Sequence, residues 1–315
     1  MAAGLSIILI SHKLHEVLAA CSRICVLRGG KLVAERQASA VNKAELAELM
    51  VGRAIPQART EAQKPGRAVL TLRYVSARRG SLSLEDVSLT LRAGEITGIA
   101  GVSGNGQSLL ADLISGVHSK TSGDIVLADR PLDNLSARAM VANRIGRIPE
   151  DRHAEGLVGD MSVTENVISE SYRSKRFNRG GFIDWAAARS FALEIIDGYE
   201  VKCPSPEARV RLLSGGNMQK LILGRVMANE PVVVMANQPT RGLDVGAVSY
   251  VHERLIAARK RGAAILLISE DLDELLALSD QVAVMYRGAL SAPILRGEVN
   301  VNTLGLMMAG TSHAA

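Results

Sequence analysis

The sequence of 315 residues is poor in aromatic side chains, which make up 3% of it and include a single tryptophan. A buried core must therefore be built mainly from Leu, Val, Ile, Ala and Met, and the hydrophobic share of 47% is large enough for one. This composition excludes a disordered chain and is typical of a globular protein. At this length we expect one large domain or two ordinary ones.

Cysteine is scarce as well. Cys21, Cys25 and Cys203 are odd in number and lack metal-ligand spacing, so we expect ordinary buried thiols in a reducing compartment. Long apolar runs are missing: the stretch from Leu5 to Ile10 is too short to span a bilayer. It also lacks the flanks of a signal peptide. These features predict a cytoplasmic protein, and if it works at a membrane, something else anchors it.

No excess of one charge sign dominates the chain, whose net charge is +5. No run of Lys and Arg resembles a nucleic-acid stripe, so we expect no nucleic-acid partner. One basic segment, Tyr172–Gly181, reads YRSKRFNRGG. Two interpretations of it stay open: a loop that faces a membrane partner, or an ordinary solvated surface loop.

An internal repeat organises the sequence. Residues 4–52 align without a gap to residues 262–310 at a constant offset of 258, and about a third of the positions are identical. The stretch IILISHKLHEVLA, for example, matches ILLISEDLDELLA. A gapless match of this length indicates a duplication.

Residues 53–68 lie between the copies and have the polar, proline-containing composition of a linker. We therefore expect a second domain over residues 69–310, followed by a short tail at 311–315. Residues 1–52 are expected to be the truncated C-terminal tail of a first domain of the same kind, about its last fifth.

Alternating strands and helices predict the architecture of the second domain. Two extended segments at 70–74 and 87–91 open it, and buried strands are expected at 95–100, 232–236, 264–269 and 281–286. Helices are expected at 108–115, 186–196, 214–228, 247–261 and 272–278. This order predicts an α/β fold with a mostly parallel sheet and an antiparallel sheet at its edge.

A glycine-rich segment, GVSGNGQS, joins one predicted strand to the next helix. It fits the phosphate-binding loop GxxxxGK[ST] at every fixed position except one, where Gln107 replaces lysine. Glycines and a helix N-terminus present N–H groups to phosphate oxygens, and the Ser108 hydroxyl would contact Mg²⁺. The candidate nucleotide contacts here are Gly101, Ser103, Gly104, Asn105, Gly106, Gln107, Ser108 and Leu109.

A second glycine-rich segment, LSGGNMQK, opens another helix about 110 residues later. Ser214 offers a hydroxyl, and Gly215 and Gly216 offer unobstructed N–H groups to an anion at the start of that helix. Asn217 completes the candidate set. This segment matches the signature sequence of ATP-binding cassettes.

The second domain resembles the second cassette of the tandem ATPase subunits in simple-sugar and nucleoside ABC importers. The stretches that carry the resemblance are GIAGVSGNGQS, RIPEDRHAEGL, LSGGNMQK, ANQPTRGLDVGA and LLISEDLDEL. The resemblance implies a P-loop NTPase cassette with a helical subdomain at about 150–228. It also implies that two cassettes face each other head to tail, each ATP lying between the phosphate loop of one and the signature of the other.

The departures from the family pattern concern hydrolysis. Asn237 and Gln238 stand where the family has Asp and Glu, and Glu270 stands where a histidine contacts the γ-phosphate. Gln238 cannot act as a general base, and Asn237 is a weaker Mg²⁺ ligand than Asp. We therefore predict that no catalytic set is intact and that the chain alone has little or no ATPase activity.

Three further positions follow from the resemblance. Glu150 stands where the family has the glutamine of the Q-loop, and with Ser108 it is the candidate Mg²⁺ ligand. Asp244 is retained in the loop that crosses the interface between cassettes. His12 corresponds to the γ-phosphate histidine at the end of a first cassette. No aromatic residue stands at the adenine position, where Arg78 and Arg79 are candidate cations over the base.

We therefore expect an ATP-binding subunit of a sugar or nucleoside importer, with ATP as cofactor and Mg²⁺ weak or absent at its own site. Expected partners are membrane permease subunits, an intact first cassette or full-length ATPase subunit and, indirectly, a substrate-binding protein. The expected location is the cytoplasmic face of the cell membrane, through the permease. The alternative is a catalytically silent structural or regulatory half, or a gene fragment without independent activity. A cassette ATPase of translation or repair is disfavoured by the near-neutral charge and the missing catalytic Glu.

Overall fold

A computed structural model describes residues 6–11, 14–52, 60–61 and 63–311. The chain divides into two compact units, one from Met1–Ala58 with Gly242–Tyr250 and the other from Arg59–Arg241 with Val251–Ala315.

The strands, in chain order, are β1 (Arg23–Arg28), β2 (Lys31–Gln37), β3 (Ala68–Arg79), β4 (Leu82–Arg92), β5 (Ile96–Ala100), β6 (Ser122–Leu127), β7 (Arg130–Pro131), β8 (Ile145–Ile148), β9 (Asn178–Arg179), β10 (Phe182–Ile183), β11 (Val233–Asn237), β12 (Ala264–Ile268), β13 (Gln281–Tyr286), β14 (Ala289–Leu290) and β15 (Ile294–Leu295). The helices are α1 (Leu14–Ala20), α2 (Lys43–Val51), α3 (Gln107–Ile114), α4 (Ala137–Ala142), α5 (Val163–Ile168), α6 (Trp185–Gly198), α7 (Gly215–Ala228), α8 (Val245–Lys260), α9 (Leu272–Leu278) and α10 (Val301–Met308).

The larger unit is built on a seven-stranded sheet in the order β14-β13-β5-β12-β11-β8, with β15 paired to β13. The four contacts between β13, β5, β12, β11 and β8 are all parallel. Every residue of β5, β11 and β12 is buried, as expected for a parallel sheet covered on both faces. The predicted parallel sheet is confirmed.

A separate antiparallel sheet, in the order β4-β3-β6-β7, stands beside it. It confirms the predicted antiparallel sheet, but β3 and β4 are longer than the two segments expected from the sequence. Their alternating burial extends well beyond those segments, and register shifts interrupt the β3–β4 ladder. Such irregularities break the strict two-residue period on which the sequence-based boundaries depend.

The helix predictions are confirmed to within one or two residues at each end. The helices α5, α6 and α7 pack against one another in the middle of the larger unit. A π-helical turn, Arg152–Gly156, precedes them along the chain. Its N-cap is Asp151, whose carboxylate accepts the N–H groups of His153 and Ala154. These backbone hydrogen bonds lower the pKa of Asp151.

The smaller unit repeats the element order found at the C-terminal end of the larger one. Helix α1 corresponds to α9 and strand β1 to β13 at the same offset of 258 residues, and a 3₁₀ turn follows in both copies. The helices α2 and α10 both begin after an asparagine whose side chain caps them, Asn42 and Asn300. They also end at glycines with positive φ, Gly52 and Gly310. The duplication seen in the sequence is therefore also a duplication of local structure.

Two expectations about surface and membrane can be compared with the structure. Cys25 is exposed rather than buried, since burial along β1 alternates and Cys25 falls on its outer face. Burial raises the pKa of the Cys203 thiol. Among the described residues, no helix is both long and apolar enough to cross a membrane.

Candidate functional site

Four segments that carry predicted site residues leave the parallel sheet from neighbouring strands. The phosphate loop follows β5, Glu270 follows β12, Gln238 follows β11 and Glu150 follows β8. Because these strands are parallel, all four segments emerge at the same edge of the sheet. Ligands of open α/β sheets bind at this carboxyl edge.

The phosphate loop has the backbone of an anion cradle. Gly104 and Gly106 have φ angles of +91° and +112°, a region that favours glycine. A side chain at Gly106 would come within 3.0 Å of the Ser83 carbonyl oxygen, whereas the space beside Gly104 is open. Gly106 begins α3 without a side-chain cap, so the first N–H groups of that helix are available to a phosphate. The loop therefore fits a phosphate group.

Gln107 fills the inside of this loop. Its side chain is buried, its Nε2 donates to the Val102 carbonyl oxygen at 3.0 Å, and its Oε1 accepts the Asn105 N–H at 3.1 Å. One N–H of the cradle is therefore used by the protein itself. Where the loop motif has a charged ammonium, this loop has a neutral amide that is hydrogen-bonded within the loop.

Asn105 ties the phosphate loop to the turn after β13. Its side-chain Oδ1 accepts the Arg287 N–H at 2.9 Å, and its carbonyl oxygen accepts the Gly288 N–H at 2.8 Å. The sequence alone gave no sign of this contact, because 182 residues separate Asn105 from Arg287.

The segment Ser214–Asn217 forms the start of α7. Ser214 is its N-cap, and its Oγ accepts from the backbone N–H of Asn217 at 3.5 Å and from Asn217 Nδ2 at 2.9 Å. Asn217 Oδ1 in turn accepts the Lys202 N–H at 2.8 Å. A side chain at Gly215 would come 3.1 Å from Arg152 Nη2, so a guanidinium lies beside this helix N-terminus. The arrangement suits an anion.

Two buried side chains of α7 connect it to the rest of the larger unit. Gln219 Nε2 donates to the Pro239 carbonyl oxygen at 2.8 Å, next to Gln238. Arg225 donates to the Gly156 carbonyl oxygen at 2.9 Å and pairs with Glu170 at 3.0 Å. The helix is thereby held both to the exit of β11 and to the segment after β8.

The region that this chain shares with known proteins includes both the phosphate loop and the segment Ser214–Asn217. The family of ABC transporters matches residues 84–241, about half of the chain. The matched region contains the phosphate loop, the α7 segment and the exit of β11. The chain belongs to the ABC transporter family. Its larger unit contains the matched region of that family.

Relatives of the cassette include importer subunits. A glucose import ATP-binding protein from Haloferax volcanii is 41% identical over 99% of this chain and 58% of its own length. The nucleoside import ATP-binding protein NupA of Lactococcus lactis is 40% identical over 98% of this chain and 61% of its own length. The guanosine import ATP-binding protein NupO of Bacillus subtilis is 41% identical over 93% and 58%. The chain thus spans about 60% of the length of the curated relatives it matches.

Solved structures show the same fold. The ATP-binding cassette MJ1267 of an ABC transporter superposes with a TM-score of 0.63 and 21% identity, covering 78% of this chain and 98% of that one. A nucleotide-free cassette of an ABC transporter gives a TM-score of 0.60, 21% identity and coverage of 73% and 92%. The predicted cassette fold is confirmed.

At the exit of β11 the cassette has no carboxylate at the two positions where the family has acidic residues. Asn237 is buried, and Gln238 has a φ of +47°, rare outside glycine. The Gln238 backbone N–H donates to the Ile268 carbonyl oxygen at 2.8 Å, and its Oε1 accepts the Glu270 N–H at 3.4 Å. The structure therefore brings the two substituted positions, 238 and 270, together.

Glu150, a candidate Mg²⁺ ligand, has a protein partner in this structure. Its carboxylate forms an ion pair with Arg241, and the Arg241 carbonyl oxygen accepts from Arg152 at 2.8 Å. Ligation of Mg²⁺ by Glu150 requires this pair to open. Among the residues described, no group of three His, Cys, Asp or Glu side chains is placed to hold a metal ion. The assignment of Ser108 and Glu150 as Mg²⁺ ligands stays a prediction.

Beside Ser108 the cassette carries a cluster of charges that sequence reasoning missed. The carboxylate of Asp112, one turn along α3, pairs with Arg79 and, at 2.9 Å, with Arg147. Arg147 also pairs with Glu155, and Arg79 Nη2 lies 3.4 Å from Ser108 Oγ. Arg79, one of the two arginines considered as cations over the base, thus lies beside the last position of the phosphate loop, and the role over the base stays a prediction.

Two remaining predictions concern the smaller unit. Asp244 caps the first turn of α8, where its Oδ1 accepts the Ala247 N–H at 2.9 Å. His12 lies outside the described residues. The roles assigned to both from the family resemblance stay predictions.

Proposed function

We propose that the chain acts as an ATP-binding subunit of an ABC importer for simple sugars or nucleosides. The relatives support both substrate classes, since they are import proteins for glucose, nucleosides and guanosine. In this proposal the cassette couples ATP binding to transport by a permease and receives its substrate through a substrate-binding protein. The proposed location is the cytoplasmic face of the membrane, and no nucleic acid takes part.

The observation that carries the proposal is the difference between the two glycine-rich helix starts. Ser214–Gly216 offers a capped helix N-terminus beside Arg152 to an anion. The phosphate loop keeps the backbone cradle but has neutral Gln107 inside it. The cassette is therefore equipped to serve ATP held by another cassette better than to hydrolyse its own.

At its own site the cassette is proposed to bind ATP without turning it over. The loop N–H groups would hold the phosphates, and Mg²⁺, held by Ser108 and phosphate oxygens, would neutralise their charge. Gln238 cannot take a proton from water, and Glu270 adds a negative charge near the phosphate edge. If each missing group costs about 2–4 kcal/mol of transition-state stabilisation, the combined loss exceeds several decades in rate.

Residues 1–52 are proposed to be the end of another cassette of the same kind. The shared order of α1, β1 and α2 with α9, β13 and α10 supports this assignment. Under it, Ser11-His12 corresponds to Ser269-Glu270, and only the first copy carries the γ-phosphate histidine. A tandem subunit with one active and one silent site follows from this asymmetry.

The proposal is tested by nucleotide assays on the purified chain and on its complex with the co-expressed permease and an intact first cassette. The chain alone should bind Mg-ATP but release no phosphate above background. The complex should hydrolyse ATP. Robust hydrolysis by the isolated chain would contradict the silent site, and failure to assemble with any permease would contradict the importer role.

A catalytically silent regulatory half is the second candidate, favoured by the bond between Gln107 and Asn105 inside the loop. It predicts that the chain binds no nucleotide. Equilibrium binding of ATP to the isolated chain separates the two functions.

A further inference from the structure

The phosphate loop of this cassette lacks its own cation, and the structure offers a substitute from another element. Resting on the proposed ATP binding at this loop, we propose that Arg79 supplies the positive charge that Gln107 does not. Arg79 is the last residue of β3 and belongs to the antiparallel sheet rather than to the loop. Its ligand would be the phosphate chain of the nucleotide.

Proximity is the first support. Arg79 Nη2 lies 3.4 Å from Ser108 Oγ, the hydroxyl at the last position of the loop motif. The Arg79 side chain is 43% exposed, whereas that of Arg147, the other arginine of the cluster, is 22% exposed. The guanidinium is therefore both close to the loop and open to solvent, where an incoming anion can reach it.

The backbone that carries Arg79 is held against α3. The Arg78 carbonyl oxygen lies 3.0 Å from His118 Nε2. The N–H groups of Val117 and His118 both donate to the Asp112 carbonyl oxygen, at 2.8 and 3.2 Å. These contacts fix the end of β3 beside the helix that begins at the phosphate loop. Arg79 can redirect its side chain without a movement of the sheet.

The carboxylate that now holds Arg79 has a second cation. Asp112 Oδ1 accepts from Arg147 Nη2 at 2.9 Å, while Arg79 contacts Oδ2. If Arg79 turns to a phosphate, Asp112 stays paired with Arg147, so no buried carboxylate is left without a countercharge. Arg147 Nε is buried and has no hydrogen-bond partner, which leaves a further donor on that side. If Arg79 had only a structural role, Asp112 would not need Arg147 as a second cation.

Chemistry favours a guanidinium in this role. Hydrogen bonds from a guanidinium to phosphate are charge-assisted and frequently bidentate. The amide of Gln107 can donate only neutral bonds, and one of them is already given to Val102. The charge on Arg79 is therefore the available electrostatic attraction beside Ser108.

Equilibrium binding of ATP, ADP and adenosine to the full chain tests the proposal. Arg79→Ala should weaken ATP and ADP binding about tenfold, as expected for the loss of one charge-assisted contact, and leave adenosine unchanged. Arg79→Lys should lose less than threefold. Arg73→Ala, an exposed arginine on the same strand, is the matched control and should bind ATP like the wild type.

A rescue variant separates charge from structure. In Arg79→Ala/Gln107→Lys, the ammonium at the loop position should restore most of the lost ATP affinity. A merely structural Arg79 would not be replaced by a lysine at 107. Thermal unfolding of each variant, measured without nucleotide, identifies any loss that comes from folding.

The outcomes distinguish this proposal from the proposed function. If the wild type binds ATP and Arg79→Ala binds it equally well, or if adenosine loses affinity in parallel, Arg79 has no phosphate role while ATP binding stands. If the wild type binds no ATP at all, both the Arg79 role and the nucleotide site of the proposed function are overturned.

Discussion

The helices α3 and α7 both begin at a glycine-rich segment, yet they present different chemistry at their N-termini. Helix α3 follows Gly106 without a side-chain cap and has Gln107 bonded within the loop. Helix α7 is capped by Ser214 and has Arg152 beside Gly215. The difference lies in side chains, since both backbones suit an anion. It shows that a helix N-terminus is a general site whose specific use is decided by the charges around it.

The largest expected effect comes from placing a carboxylate at each N-terminus in turn. Gly215→Asp should reduce ATP hydrolysis by the assembled importer at least a hundredfold, because the new carboxylate repels phosphate and can pair with Arg152. Ser103→Asp, an exposed position of the phosphate loop without a positive φ, should reduce it less than threefold. Phosphate release by the permease complex measures both. Equal losses would show that both sites turn over ATP.

The next effect concerns how each helix is anchored. Arg225→Met should lower the free energy of unfolding by about 3 kcal/mol, because Glu170 and the Gly156 carbonyl oxygen lose a buried partner. Arg79→Met on the α3 side should cost less than about 1 kcal/mol, since Arg79 is half exposed and Asp112 keeps Arg147. Chemical denaturation compares the two. A similar cost for both would contradict the mobility proposed for Arg79.

A smaller effect is expected from the serine at each helix start. Ser214→Ala removes an N-cap and should lower the free energy of unfolding by about 1 kcal/mol. Ser108 lies inside the first turn of α3, where it caps nothing. Ser108→Ala should therefore lower the free energy of unfolding by only a few tenths of a kcal/mol. Urea unfolding of both variants gives the difference. A larger loss for Ser108→Ala would mean that its hydroxyl supports the loop.

The smallest effect is expected at α5, which begins with a complete capping box formed by Ser162 and Glu165. The bonds from the Ser162 N–H and hydroxyl lower the pKa of Glu165 below its ordinary 4.5. A lowered pKa means that stability is present above pH 4.5 and is lost as the pH falls through the folded value. Glu165→Gln should therefore cost about 0.5 kcal/mol at pH 7, and this cost should decrease as the pH falls below 4.5. A cost that is independent of pH would contradict a charged Glu165.

Much of the fold could be predicted because its signals are local. The buried strands β5, β11 and β12 read as short apolar runs, and α7 and α9 begin at recognisable caps, Ser214 and Asp271. The boundaries of β3 and β4 could not be predicted, since their register shifts depend on which strand lies alongside. The exposed Cys25 was misjudged because the face that a strand residue occupies is set by packing.

The candidate site divides in the same way. The sequence by itself determined which groups are present: two glycine-rich helix starts, a neutral residue at 107 and no carboxylate at 237 or 238. The tertiary structure decided their partners. It paired Glu150 with Arg241, brought Gln238 to Glu270 and directed Arg79 at Ser108. Motif chemistry is set by residue type and backbone within a few positions, whereas ion pairs join side chains from strands and helices distant in the chain. Only folding determines which charge lies beside the phosphate loop.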